Sequence, residues 1–136
     1  MCNNSLLYLT TITNSSVPSD GLIPLANISR KRGNSITQGF NSAFLNTPGY
    51  YKITVTVTFT APEAGDVTIA LQKRNENVPG ITASTTITTA TTEVRTLTLS
   101  GIVRVFCNEG PASITLVNTG VAIDISNVSV DIEYLD

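Results

Sequence analysis

The side chains able to do chemistry in this sequence are few, and their spacing argues against a catalytic centre. There is no histidine among the 136 residues. Ser-His-Asp triads, Cys-His dyads and histidine-held zinc or cupin metals are therefore excluded. The remaining carboxylates, serines and threonines are scattered, and no nucleophile elbow, phosphate loop or GxGxxG fingerprint organises them. Asp131 and Glu133 alternate along an extended segment and so share one face of it. Such a pair offers the oxygen ligands that calcium takes. A charge-paired or solvated strand end is the simpler reading, and neither a metal nor a cofactor is expected. The cationic run Arg30-Lys31-Arg32 reads as an exposed turn before Gly33, suited to an anionic partner or to solubility alone. Cys2 and Cys107 lie far apart and read as reduced thiols, with Cys107 buried in a strand. The chain is read as non-enzymatic.

Composition bounds the scaffold that must position these groups. At 14.4 kDa the chain supports one domain with one core. Charged residues make up 13%, the net charge is -2 and the mean hydropathy is +0.18. These values exclude a basic nucleic-acid footprint and a disordered chain, and no apolar run is long enough to cross a bilayer. The opening stretch MCNNSLLYLTTITN has no positive n-region and only a short apolar core, so no signal peptide is expected. Cys2 has no lipobox before it, and residue 2 is not the glycine of myristoylation. Four N-x-S/T sequons, at Asn3, Asn14, Asn27 and Asn127, read as chance in a chain rich in Ser, Thr and Asn. The expected organisation is a short arm over 1–5 and a single domain over 6–136.

Threonine, valine and isoleucine recur throughout, and all three are stiff at χ1 and favour a pleated surface over a helix. Turn-forming clusters interrupt them at short intervals, which predicts an all-β sandwich or barrel. The predicted strands are Leu6–Thr13, Leu22–Ile28, Gly39–Leu45, Tyr50–Thr60, Asp66–Arg74, Thr82–Thr89, Glu93–Leu99, Ile102–Cys107, Ala112–Asn118 and Val121–Tyr134. The tract TTITTATT over 85–92 fits a loop or a slack edge strand. It and the segment 74–79 are further partner-facing candidates, since loops carry recognition. In Tyr50–Thr60, Tyr51, Ile53, Val55, Val57 and Phe59 form one face, while Tyr50, Lys52, Thr54, Thr56, Thr58 and Thr60 form the other. A phase change at Ser126-Asn127 predicts a β-bulge in the last strand.

The segments ITQGFNSAFLNTPGYYKITVTVTF and GDVTIALQKRNENVPG carry a resemblance. Pro48-Gly49-Tyr50-Tyr51 matches the Pro-Gly-x-Tyr element that opens the third main strand of the TNF/complement-type jelly roll. Val67, Ile69, Leu71, Lys73 and Asn75 match its following strand. The likeness spans roughly 6–134 and is nearest to the heads of bacterial collagen-like surface glycoproteins and to phage head-fibre and decoration domains. The resemblance implies an antiparallel two-sheet jelly-roll sandwich that assembles as a homotrimer. It also implies that the third and last strands are antiparallel neighbours. Tyr50, Lys52, Thr54 and Thr56 would then face the axis, with Asp131, Glu133 and Leu135 beside them. Alone, a threonine face reads first as an ordinary solvated strand; the resemblance implies a contact surface instead.

The function so implied is a trimeric structural or attachment module of a bacteriophage virion, made in the host cytoplasm. Its partners would be capsid or other virion proteins or a host surface glycan, with no nucleic acid and no membrane. The chain lacks the Gly-X-Y stalk of the collagen-like proteins. A bacterial or spore-surface structural protein is one alternative. A carbohydrate-binding module is another, although Trp is absent and most Tyr and Phe fall in core phase.

Overall fold

The computed structural model describes residues 5–11, 15–25, 27–39, 41–108 and 110–135. Its twelve strands run β1 (Leu6–Thr11), β2 (Ser15–Val17), β3 (Gly21–Leu22), β4 (Asn27–Arg32), β5 (Ile36–Gly39) and β6 (Ser42–Leu45), then β7 (Gly49–Thr60), β8 (Gly65–Lys73), β9 (Glu76–Ile87), β10 (Arg95–Val105), β11 (Ala112–Asn118) and β12 (Ile123–Leu135). They form two six-stranded antiparallel sheets. The first has the order β10-β7-β12-β1-β4, with β2 on β12; the second is β5-β6-β11-β8-β9, with β3 on β11.

Period-2 alternation decides which face meets the core. The five inward residues of β7, from Tyr51 to Phe59, are all 0% exposed, and Val128, Val130 and Ile132 of β12 are buried with them. Val67, Ile69 and Leu71 of β8 and Ile114 and Leu116 of β11 close the core from the second sheet. Full burial of each such aliphatic side chain contributes about 1.5–3 kcal/mol.

Several strand expectations hold and several are corrected. β7, β8 and β11 fall where expected, and β12 pairs with β7 with a register shift between Ile125 and Asn127, the expected bulge. The strand expected over Leu22–Ile28 is interrupted: pairing stops at β3 and resumes at β4. Pro24 has no N–H to donate, and its carbonyl and that of Leu25 are taken by Thr11 Oγ1 (3.2 Å) and Gln38 Nε2 (2.8 Å). Gly39–Leu45 is a hairpin, with Asn41 at φ 50° in its turn. The segments expected over Glu93–Leu99 and Ile102–Cys107 are one strand, β10. Gly101 continues the strand because a Cβ there would fall 2.6 Å from Ile81 of the facing sheet. The segment 74–79 is a tight hairpin in which Arg74 and Asn75 both have positive φ, 54° and 67°. The tract over 85–92 divides between the end of β9 and a loop.

Cys107 is exposed in the turn after β10, not buried in a strand. Of the expected arm, residues 1–4, Cys2 and Asn3 among them, lie outside the described residues, as do 12–14 at the end of the first expected strand. Ser5 is buried, and its carbonyl accepts the Tyr134 N–H at 3.0 Å.

Candidate interaction face

The outward face of the first sheet is built by register. Partners in an antiparallel ladder point to the same side, so the rows can be followed from strand to strand. Tyr50 lies opposite Arg104 of β10 and Leu135 of β12. Lys52 lies between Ile102 and Glu133, with Leu6 and Arg32 continuing that row. Thr54 lies between Ser100 and Asp131, with Tyr8 and Arg30 beyond, and Thr56 lies between Thr98 and Ser129. The seven residues expected on this face thus adjoin one another. Sequence reasoning missed what flanks them: Ile102 and Arg104 on one side, Leu6 and Tyr8 on the other. The alternation of β10 carried that signal, but it was hidden by the break placed at Ser100-Gly101.

The face mixes apolar and polar groups. Tyr50 is 48% and Ile102 53% exposed, while Thr54, Thr56, Asp131, Glu133 and Leu135 are partly covered. Lys52 is the register partner of Glu133, yet among the described residues no ion pair closes between them. Burial raises the Asp131 pKa, the neighbouring Glu133 charge raises it further, and Lys52 opposes both. Thr58 and Thr96 share a hydroxyl hydrogen bond of 3.0 Å within the subunit. Arg30, Lys31 and Arg32 do not form a turn. They belong to β4, an exposed edge strand on β1, because β1 supplies the ladder they pair with.

The Pro48-Gly49-Tyr50-Tyr51 element has a local cause. The Tyr51 hydroxyl donates to the Thr47 carbonyl (2.5 Å) and accepts from the Thr47 N–H (3.2 Å). The Tyr134 hydroxyl donates to the Pro48 carbonyl at 3.0 Å, and the Tyr51 and Tyr134 rings meet edge to face at 5.1 Å. Burial raises the Tyr51 pKa. Two tyrosines thereby fix the loop that feeds β7.

A second cluster lies at the same end of the sandwich. The Arg104 guanidinium is 4.4 Å from the Phe106 ring centre and 5.4 Å from that of Tyr50. Lys73 Nζ is 5.6 Å from the Phe106 ring centre and donates to the Arg104 carbonyl at 2.7 Å.

Sequence comparison matches no family model and no curated protein. Solved structures share the fold. Murine APRIL superposes with a TM-score of 0.70 at 13% identity, covering 98% of this chain and 100% of that one. The globular domain of zebrafish complement 1qA gives 0.66 at 7% identity, covering 96% of each chain. The PRD1 vertex protein P5 gives 0.63 at 16% identity, covering 97% of each. This chain has the antiparallel two-sheet jelly roll of the TNF/C1q type.

Proposed function

We propose that this chain is a non-enzymatic structural and attachment module that assembles as a homotrimer through the outward face of its first sheet. The observation that carries this reading is the composition of that face. Tyr50 and Ile102 are large exposed apolar groups on one face with Leu135, Leu6 and Tyr8, whereas the outer face of a solvated antiparallel sheet is commonly polar. Tyr50, Lys52, Thr54 and Thr56 then meet copies of themselves, with Asp131, Glu133 and Leu135 at the margin.

The likeness to a vertex protein supports a virion role, as a head-fibre, decoration or host-attachment component of a bacteriophage. Capsid or other virion proteins are the partners of that reading. Light scattering tests the assembly: three copies of the 14.4 kDa chain give about 43 kDa. A mass of one chain at micromolar concentration overturns it. Co-sedimentation with particles tests the virion assignment, and recovery only in the particle-free fraction overturns that part.

A further inference from the structure

Strand direction separates the charges of this molecule in a way its net charge of -2 conceals. β7 and β9 leave one end of the sandwich, and β8, β10 and β12 return to it. That end holds Lys52, Lys73, Arg74 and Arg104, and antiparallel pairing on β1 brings the three cations of β4 to the same half. Seven of the eight Lys and Arg residues are therefore there, and Arg95 alone lies at the other end. Among the described residues, the carboxylates that share their half are Glu76, Asp131 and Glu133, while the opposite end carries Asp20, Glu63, Asp66, Glu93 and Asp124. Among the described residues, cations thus outnumber carboxylates at one end of an acidic protein.

Within that end, a groove of about 210 Å³ runs between the β8–β9 hairpin and the base of β10. Ile102 and Pro79 give it apolar surface, and Lys73, Arg104 and, alone among the described carboxylates, Glu76 line it. Phe106, 48% exposed, lies against both cations. Among the described residues no carboxylate closes on Arg104. Its guanidinium is held against an aromatic ring, which leaves N–H groups for an acceptor with two oxygens.

We propose that this groove binds a carboxylate-bearing polysaccharide, with Arg104 gripping a uronate-type carboxylate while Pro79 within the groove and Phe106 beside it pack on the sugar. An exposed ring beside a guanidinium suits an acidic sugar better than a neutral one, which offers no charge to Arg104. The site extends the attachment reading above, but it is complete within one subunit.

The test is binding of the full chain to polygalacturonate by calorimetry, with neutral dextran, dextran sulfate and duplex DNA as parallel probes. Binding to polygalacturonate that weakens with salt and exceeds the other three at least about tenfold is the expected result. Arg104→Gln loses at least about tenfold and Phe106→Ala at least about threefold. Light scattering on each variant shows whether assembly is intact, so a loss of mass is distinguished from a loss of the site. Equal binding of dextran, dextran sulfate or DNA, or undiminished binding by Arg104→Gln, overturns the proposal. So does no binding to polygalacturonate, even where the mass of about 43 kDa is found.

Discussion

Gly49 and Tyr51 carry strict local requirements beside the candidate interaction face. Gly49 has φ +143°, and a Cβ there would fall 2.7 Å from the Tyr134 hydroxyl. Gly49→Ala therefore costs about 2 kcal/mol in denaturant unfolding, since both the backbone and the ring must yield. Tyr51→Phe removes the bond to Thr47 without changing the packed ring and costs about 1 kcal/mol by the same measurement. Asp131 shows the opposite sign. Its pKa is raised above the ordinary 3.8, so its favourable contribution is present below 3.8 and is lost as pH rises through the folded value. Asp131→Asn stabilises the subunit slightly at neutral pH, by well under about 1 kcal/mol because the group is partly solvated. The gain vanishes in acid, as thermal melts across pH will show.

At the scale of elements, the loop between β9 and β10 has an unexpected organiser. Glu93 Oε1 accepts from Thr88 Oγ1 (2.8 Å), from the Thr89 N–H (2.9 Å) and from the Thr88 N–H (3.1 Å), and its other oxygen pairs with Arg95. These bonds, led by the Thr88 hydroxyl, hold its pKa at about 2, below the ordinary 4.5. A depressed carboxylate contributes above 4.5 and loses that contribution as pH falls through about 2. Protection of the Thr88 and Thr89 amides against hydrogen exchange falls over that range, and Glu93→Gln lowers it at neutral pH. A repetitive threonine tract reveals none of this, because the ordering group lies beyond the tract.

For the whole molecule, the arrangement of the first sheet makes a sharp prediction about assembly. Thr56 is partly exposed, so Thr56→Arg leaves the subunit folded while placing a charge on the face proposed for assembly. The expected outcome is a folded single chain of 14.4 kDa by light scattering, with an unchanged far-UV spectrum. A variant that keeps the mass of the parent protein places the interface elsewhere.

The alternation in β7 and β12 was legible from residues alone, because a two-residue period assigns each side chain to a face without reference to any neighbour. Their pairing was an implication of family likeness and the bulge was expected from the phase change, while the register itself came from the structure. The basic run was misplaced because an edge strand and an exposed turn expose cations equally, and only the ladder to β1 distinguishes them. The continuity of β10 was hidden for a similar reason: Gly101 looks like a break until Ile81 is seen filling its space. Local pattern determined the strands and their inner faces. Tertiary structure alone decided which outer residues became neighbours and which end gathered the cations, since strand order and direction join residues that are remote in the chain.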